Sequence, residues 1–223
     1  MQFIYDIKAG DDTLNIINNN HKYLFKVRRS KVDDTIFLRN FLDDFLYSYS
    51  IINIDKNSSL LKLKAKTIKI VKSNKNLHII WSIIDPKIIE KAIPFLNQIG
   101  VDKITFVYSE YSQRNFKIDI DKLNKILINS SQQSGRSSII ELDIIKSLQD
   151  IFTMYTNILV LDFSSNKIKD YTKNINRVLI GPEAGFSSSD RLLFRSSDII
   201  GFDSDSILQS QTAAISIAAK IVL

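Results

Sequence analysis

The chain has 223 residues, of which 44% are hydrophobic and 24% are charged, a composition that is typical of globular proteins. No apolar run approaches the roughly 18 residues of a membrane span, and the N-terminal residues lack the pattern of a secretory signal. We therefore expect a cytoplasmic protein outside the membrane. Cysteine is absent, which excludes disulfides and thiolate metal sites, and the only histidines, His21 and His78, stand too far apart in sequence to predict a metal site. The formal net charge of +6 favours a polyanionic partner such as nucleic acid, although charge alone does not establish one.

Residues 1–70 have the pattern of short β-strands. Leu61–Lys66 alternates with period two, which predicts an apolar face and an opposite face carrying Lys62, Lys64 and Lys66. The alternation slips at Ile68–Ile70, as it would at a bulge or at the end of a strand. Several short strands in so short a segment predict a small β-barrel. The other runs expected to be strands are Phe3–Tyr5, Tyr23–Val27, Thr35–Leu38 and Phe45–Ile52.

The pattern changes after Ser73, and we therefore expect one domain over residues 1–72 and a second over residues 73–223. Leu77–Ile84 is almost continuously apolar, which is typical of a strand buried on both faces. Asp85-Pro86 can begin a helix that ends at a glycine cap, Gly100. Further strands are expected at Ile104–Tyr108, Ile158–Phe163, Arg177–Ile180 and Ile199–Phe202, and further helices over 121–133, 141–149 and Gln211–Val222. This alternation predicts an α/β domain with a parallel sheet.

The most specific local feature is a buried strand that runs directly into the turn Gly181-Pro182-Glu183-Ala184-Gly185. Glycines let the backbone approach a ligand closely, and ligands of open α/β sheets bind at the carboxyl ends of the strands. Ser187–Ser189 can cap a following helix. An ordinary tight turn is the alternative interpretation. The spacing of a phosphate-binding P-loop is absent from the chain, which argues against an unrelated nucleotide-binding protein.

Two further segments can carry function. A polar loop from Gly201 to Gln209 precedes a C-terminal helix that is apolar almost all round and must be buried. Such a loop either is simply exposed or binds a ligand. Gln132–Arg136 ends an expected helix, where an arginine can pair with a phosphate or a carboxylate, or can be an ordinary surface residue.

Together and in this order, these segments resemble the RsmE family of ribosomal RNA methyltransferases, which belongs to the SPOUT superfamily. The family pattern IGPEGGFS followed by an acidic residue matches Ile180–Ser187 except at Ala184, with Asp190 as the acid. The resemblance covers nearly the whole chain, and the GPE turn is its specific part. The family patterns LRTETA, EQxxR, ELGV and H…VLR…GD correspond to Leu208–Ala213, Gln132–Arg136, Gln98–Val101, and His21 with Val27–Arg29 and Asp33–Asp34.

The chain departs from the family where charges are lost. The Arg and Glu of LRTETA are Gln209 and Gln211, the Glu of EQxxR is Gln132, and the stretch that resembles KGDR is Asp85–Ile88. These changes affect proton handling and RNA anchoring more than cofactor binding, which in this superfamily depends on backbone groups. The chain is similar to a divergent branch of the family, and a catalytically degenerate RNA-binding or ribosome-assembly protein of the same fold is the alternative to an enzyme.

The resemblance implies a PUA-like β-barrel over residues 1–72 and an α/β domain over residues 73–223 whose C-terminal part forms a trefoil knot. It also implies a homodimer with its active sites at the subunit interface. The cofactor is S-adenosylmethionine, held by the end of one strand, by the GPE turn and by the loop before the last helix. The residues expected to bind it are Leu161, Ile180, Gly181, Pro182, Glu183, Gly185, Gly201, Ile207 and Leu208.

The family reaction is methylation of ring nitrogen 3 of a uridine in 16S ribosomal RNA of the assembled small subunit. This nitrogen carries a proton near neutral pH, so the site has to remove the proton and stabilise the resulting anion. Arg136 is the candidate for stabilising the anion, and Gln211 and Thr212 for orienting the base. Glu183 either accepts the proton or holds the amino group of the cofactor. The residues expected to bind RNA phosphates on the barrel are Arg28, Arg29, Lys62, Lys64 and Lys66, and a solvated strand surface is the alternative for the lysines.

Overall fold

The computed structural model describes residues 2–171, 174–204 and 206–223, and the chain divides into two compact units. The first unit comprises Met1–Lys72 together with Ile128–Ile139. The second comprises Ser73–Leu127 and Ile140–Leu223. The sequence pattern did not indicate that residues 128–139, which include the end of a helix, belong to the first unit.

The first unit is built on a mixed five-stranded sheet. Its strands are β1 (Ile4–Tyr5), β2 (Thr13–Ile17), β3 (Thr35–Arg39), β4 (Phe45–Ile54) and β5 (Ser58–Ile68). They lie in the order β1-β3-β4-β5-β2, and all pairs except the parallel β1 and β3 are antiparallel. Alternate residues of each strand point to the same face, so side chains such as Leu38, Tyr49 and Leu61 fill one continuous core.

The segment Tyr23–Val27, which was expected to be a strand, is instead a π-helical turn that continues the helix α1 (Asn18–Lys22). Leu24 is completely buried in the core, whereas Val27 is 67% exposed. An apolar run this short fits a buried helical turn as well as it fits a strand, which is why the prediction was wrong.

The lysines of β5 do not share one face. Lys64 is the bulged residue at a register shift between β4 and β5. Beyond the bulge, Lys66 lies opposite the buried Tyr47, and residues opposite each other in antiparallel strands point to the same side. The Lys66 ammonium accordingly lies 5.1 Å from the centroid of the Phe45 ring, on the side of the core, whereas Lys62 points to the outer face. The prediction that Lys62, Lys64 and Lys66 share one face of the strand is therefore wrong.

The second unit is built on a six-stranded sheet in which every pair of strands is parallel, as the sequence predicted. Its strands are β6 (His78–Ser82), β7 (Lys103–Val107), β8 (Glu141–Ile145), β9 (Leu159–Leu161), β10 (Arg177–Ile180) and β11 (Ile199–Ile200). They lie in the order β11-β9-β10-β6-β7-β8. Every residue of β6 is buried, in keeping with its continuous apolar sequence.

The remaining helices are α2 (Pro86–Ile99), α3 (Ile120–Ser134), α4 (Leu148–Met154), α5 (Ser188–Arg191) and α6 (Ser210–Val222). Helix α2 has the predicted ends: the Asp85 side chain accepts a hydrogen bond from the Lys87 N–H, and Gly100 has a φ of 113°. The helix expected over 141–149 is wrong. Residues Glu141–Ile145 form β8, and α4 begins only at Leu148, because a short apolar run does not distinguish the two periods.

The strand order indicates at which end of the parallel sheet a ligand is to be expected. From β6, the chain adds β7 and β8 on one side and β9, β10 and β11 on the other. The order therefore reverses where β6 and β10 are neighbours, and ligands of open α/β sheets bind outside the carboxyl ends of strands at such a point. Within the described ranges, no helix is long and apolar enough to cross a membrane.

Candidate active site

A cavity of about 590 Å³ opens at the carboxyl ends of β9, β10 and β11. Three segments form most of its wall: the loop after β9, the turn after β10 and the loop between β11 and α6. The volume lies in the range of about 300–1,000 Å³ that is usual for sites that bind small molecules. The lining includes every residue that the sequence predicted to bind the cofactor, namely Leu161, Ile180, Gly181, Pro182, Glu183, Gly185, Gly201, Ile207 and Leu208.

The turn after β10 has the form that its sequence predicted. The Gly185 N–H donates to the Pro182 carbonyl at 3.0 Å, and Gly185 has a φ of 74°, which glycine adopts without strain. Helix α5 follows with a capping box. The Ser187 hydroxyl accepts a hydrogen bond from the Asp190 N–H, and the Asp190 carboxylate accepts one from the Ser187 N–H. The strand, the turn and the capped helix thus present the turn backbone to the cavity.

Gly201 fastens the loop after β9 to the end of β11. Its N–H donates to the Asn166 carbonyl at 2.8 Å, and its own carbonyl accepts from the Ile168 N–H at 2.9 Å. A Cβ atom at Gly201 would lie 3.1 Å from backbone atoms of Asp162 and Ser164, so a larger residue would push the two segments apart. Glycine is therefore required here for close packing of backbone against backbone.

Ser210, the first residue of α6, ties the third segment to the turn. Its hydroxyl donates to the Gly181 carbonyl at 2.6 Å and accepts from the indole N–H of the buried Trp81 at 2.9 Å. Sequence reasoning missed both side chains. Trp81 and Ser210 are 129 positions apart, and a hydrogen bond across that separation leaves no local pattern in the sequence.

The cavity wall also contains charged groups that lie outside the family patterns. Arg191 forms an ion pair with Asp162, and its Nε donates to the Phe186 carbonyl at 3.3 Å. The Asp162 side chain is only 8% exposed, so the guanidinium compensates a nearly buried carboxylate. Lys167 Nζ donates to the Phe202 carbonyl at 3.1 Å. With Glu183, which is exposed, these groups give the wall charges of both signs.

Two of the predicted catalytic residues, Gln211 and Thr212, lie in the first turn of α6 and do not line the cavity. The Gln211 side-chain amide donates to the Gln209 side-chain oxygen at 2.6 Å. Its own Oε1 is buried, and none of the residues that the structure describes gives it a hydrogen bond. The positions that are charged in the LRTETA pattern are thus occupied here by a neutral hydrogen-bonded pair.

Arg136 belongs to the first unit and is not among the residues that line the cavity. Its side chain is buried, with the residue 5% exposed, and its Nε donates to the Ser138 hydroxyl at 3.3 Å. Within the same motif, the Gln132 side-chain oxygen accepts from the Tyr5 N–H at 2.8 Å and so fastens β1 to the end of α3. The motif therefore has a structural function in the first unit.

The residues expected to bind RNA lie in the first unit. Arg28 and Arg29 are exposed directly after the π-helical turn. Lys62 and Lys64 are exposed on β5, and Lys64 Nζ donates to the Thr35 hydroxyl at 3.2 Å. Lys66 is exposed on the other side of the strand.

Both histidines are buried beside hydroxyl groups. His21 Nδ1 lies 2.9 Å from Ser59 Oγ, and His78 Nε2 lies 2.8 Å from Thr105 Oγ1. Burial lowers the pKa of His78 to about 4 and so keeps its ring neutral near pH 7. In the part of the chain that the structure describes, no group of three or more histidine, aspartate or glutamate side chains is arranged to hold a metal ion.

Relatives of known structure share this fold. A methyltransferase from Legionella pneumophila, solved with bound S-adenosylmethionine, is 22% identical with a TM-score of 0.82, and the match covers 99% of this chain and 96% of that one. Ribosomal RNA small subunit methyltransferase E from Neisseria gonorrhoeae, bound to S-adenosylmethionine, is 18% identical with the same TM-score and the same coverage. These likenesses show that the chain has the same fold as these two methyltransferases.

Sequence comparison identifies the family. Residues 71–222 match the family model of the RNA methyltransferase domain. The chain is 38% identical to ribosomal RNA small subunit methyltransferase E of Helicobacter pylori strain 26695, over 98% of both chains. It is 37% identical to the corresponding protein of strain J99, again over 98% of both. The chain therefore belongs to the RsmE family of ribosomal RNA methyltransferases.

Proposed function

We propose that this protein transfers a methyl group from S-adenosylmethionine to ring nitrogen 3 of a uridine in 16S ribosomal RNA of the small subunit. The observation that carries the proposal is the cavity, because all the residues that the family resemblance assigns to the cofactor line it together. The sequence identity of 37% and 38% to two proteins named ribosomal RNA small subunit methyltransferase E, over 98% of the chain, supports the choice of substrate.

The cavity is suited to the cofactor in both shape and chemistry. A Cβ atom at Gly185 would meet no atom within 4 Å, so the turn leaves open space that a ligand can enter. Leu161, Ile180 and Leu208 supply apolar contacts for an adenosyl group. Arg191 and Glu183 supply charges of opposite sign for the amino acid end of the cofactor. S-adenosylmethionine, when bound, supplies an electrophilic methyl group carried on a sulfonium.

The remaining chemical task falls to the side chains of the protein. The uridine nitrogen becomes nucleophilic as its proton leaves, and the negative charge spreads onto the neighbouring carbonyl oxygens. We assign stabilisation of that charge to Arg136 and orientation of the base to Gln211 and Thr212. Glu183, exposed at the cavity, accepts the proton or holds the amino group of the cofactor. Of these assignments, only that of Glu183 is supported by a position in the cavity wall.

Recognition of the RNA falls to the first unit. Arg28, Arg29, Lys62 and Lys64 are exposed cations that can contact phosphates, and such contacts fix the position of the RNA without reading its sequence. The substrate is 16S ribosomal RNA, either free or in the assembled small subunit. The enzyme acts in the cytoplasm as a homodimer with its sites at the subunit interface, and its C-terminal segments form the trefoil knot of the superfamily.

Calorimetric titration with S-adenosylmethionine tests the cofactor site. We expect a dissociation constant in the micromolar range and much weaker binding by Gly185→Val, because a branched residue disfavours the φ of 74° and its side chain would project into open space of the cavity. Gly135→Val, at a φ of 86° in the first unit, is the matched control and should bind normally. Unchanged affinity in a folded Gly185→Val protein would place the cofactor elsewhere.

The neutral pair of Gln209 and Gln211 favours a second candidate function, an RNA-binding or ribosome-assembly protein that has lost methyl transfer. Such a protein would bind small-subunit RNA and transfer no methyl group to it. The cavity supports the enzyme instead, because a degenerate protein does not need to keep the lining of a cofactor site. Incorporation of labelled methyl groups into RNA separates the two candidates.

A further inference from the structure

A buried chain of hydrogen bonds connects three elements around the cavity. Trp81 Nε1 donates to Ser210 Oγ at 2.9 Å, and Ser210 Oγ donates to the Gly181 carbonyl at 2.6 Å. Trp81 is 0% exposed and Ser210 is 5% exposed. Trp81 lies in β6, Gly181 directly follows β10 and Ser210 begins α6. These two hydrogen bonds therefore link β6 to two of the segments that line the cavity.

The chemistry of the donors fixes the direction of this chain. An indole N–H can only donate, and a hydroxyl has a single proton. Because the Ser210 oxygen accepts from Trp81, its one proton is available to the Gly181 carbonyl. Gly181 and Ser210 line the cavity but Trp81 does not, so the indole N–H of Trp81 is connected to the cavity wall through the Ser210 hydroxyl.

The hydrogen bond to Gly181 orients the peptide from which the turn starts. That carbonyl belongs to the Gly181–Pro182 peptide, and the ring of Pro182 fixes the next φ near −65°. The Phe186 ring lies where a side chain of residue 181 would begin: a Cβ atom added to Gly181 would be 3.1 Å from it. The start of the turn is thus held both by Ser210 and by Phe186, and the orientation of one peptide sets the direction of the backbone that lines the cavity.

We propose that Ser210 and Trp81 are positioning residues that hold the Gly181–Gly185 turn in the form that binds S-adenosylmethionine, and that the fluorescence of Trp81 reports cofactor binding. The proposal rests on the proposed function, because it concerns the same cavity. Trp81 is the only tryptophan of the chain, so its emission carries no background from other tryptophans. The Trp81 indole is connected to the turn through two hydrogen bonds, so a ligand that contacts the turn should change the environment of the indole.

The experiment is a titration of the full chain with S-adenosylmethionine, followed in parallel by calorimetry and by tryptophan emission. For the wild type, we expect a saturable change of emission with the same dissociation constant as the calorimetric signal. Ser210→Ala should bind roughly tenfold more weakly, because it leaves the indole N–H and the Gly181 carbonyl unpaired, and its emission should no longer follow binding. Ser210→Thr, which keeps the hydroxyl and has the residue of the LRTETA pattern, should restore both signals.

The control variant is Ser216→Ala on the same helix, at a residue that does not line the cavity, and it should behave as the wild type. If Ser210→Ala does not fold, Trp81→Phe tests the same chain by calorimetry, and weaker binding is again expected. The inference is overturned if the wild type binds by calorimetry while its emission stays constant. It is also overturned if folded Ser210→Ala or Trp81→Phe, which remove these hydrogen bonds, keeps the wild-type affinity. If the wild type gives neither heat nor a change of emission, the proposed cofactor is wrong and this inference falls with it.

Discussion

Arg191 and Asp162 form an ion pair in the wall of the cavity, and the two partners differ in their access to water. The side chain of Asp162 is 8% exposed, whereas that of Arg191 is 45% exposed. Removal of the arginine leaves a carboxylate without its cation in a nearly buried position. Removal of the carboxylate charge leaves an arginine that water can reach, so the two substitutions should not be equivalent.

We therefore expect Arg191→Met to lower the free energy of unfolding by about 1–3 kcal/mol and Asp162→Asn to lower it by less, as measured by urea denaturation. Arg195→Met is the matched control, because the side chain of Arg195 is 74% exposed and its pair with Asp198 lies at the surface. That change should stay within about 0.5 kcal/mol. Equal losses for Arg191→Met and Arg195→Met would show that the cavity pair has no special role.

His78 should make the stability of the second unit depend on pH. Burial is the main cause that lowers its pKa to about 4, and the charges of Lys103 and Arg177 lower it further. The unfolded chain has a histidine pKa of about 6.5, so the folded state takes up the proton less readily. The stabilising contribution is therefore complete above pH of about 6.5 and is lost as the pH falls from there toward 4.

The measurement for His78 is the free energy of unfolding of the wild type and of His78→Gln at pH 7 and at pH 4.5. We expect the wild type to lose about 2 kcal/mol relative to the variant between these two values, because the carboxylates titrate in both proteins and cancel. A difference between the two proteins that does not change with pH would mean that His78 is not held neutral by burial.

The bulge at Lys64 allows the RNA contacts of the first unit to be tested with a control on the same strand. Replacing Lys62 and Lys64 with Glu should weaken RNA binding and reduce the slope of log affinity against log salt by about one for each lost phosphate contact. Lys66→Glu should have little effect, because Lys66 lies on the other side of β5, against Phe45. A salt slope that is the same in all these variants would identify the lysines as an ordinary solvated surface.

Arg136 can be tested for a role in methyl transfer separately from its role in packing. If it stabilises the uridine anion, Arg136→Ala should lower turnover by roughly 100-fold or more while the affinity for S-adenosylmethionine changes little. Because the residue is only 5% exposed, the free energy of unfolding has to be measured on the same variant. Near-normal turnover would remove Arg136 from the mechanism, and a parallel loss of stability, affinity and turnover would assign it to the structure.

The features that could be predicted from the sequence are those with a local cause. The turn at Gly181–Gly185 combines a buried strand, two glycines and a proline within a few positions, so its form and its place at the end of a strand follow from nearby residues. The ends of α2 follow in the same way from Asp85 and Gly100. Apolar runs as short as Tyr23–Val27 fit a helical turn and a strand equally well, and there the prediction failed.

The features that could not be predicted depend on contacts between distant residues. Trp81 reaches Ser210 and Arg191 reaches Asp162 only because the parallel sheet brings their elements together. No spacing in the sequence indicates either pair. The bulge at Lys64 is a property of the pairing of two strands, so the alternation of β5 alone could not place it. The trefoil knot and the homodimer stay predictions from the family resemblance.

The most direct measurement of the proposed function is methyl transfer from labelled S-adenosylmethionine to small ribosomal subunits that lack the modification, followed by digestion of the RNA and mass spectrometry of its nucleosides. We expect the label to appear in 16S ribosomal RNA as 3-methyluridine, and we expect Gly185→Val to abolish its appearance. A protein that binds S-adenosylmethionine and small-subunit RNA yet leaves that RNA without label, both free and in the subunit, would contradict the proposed activity.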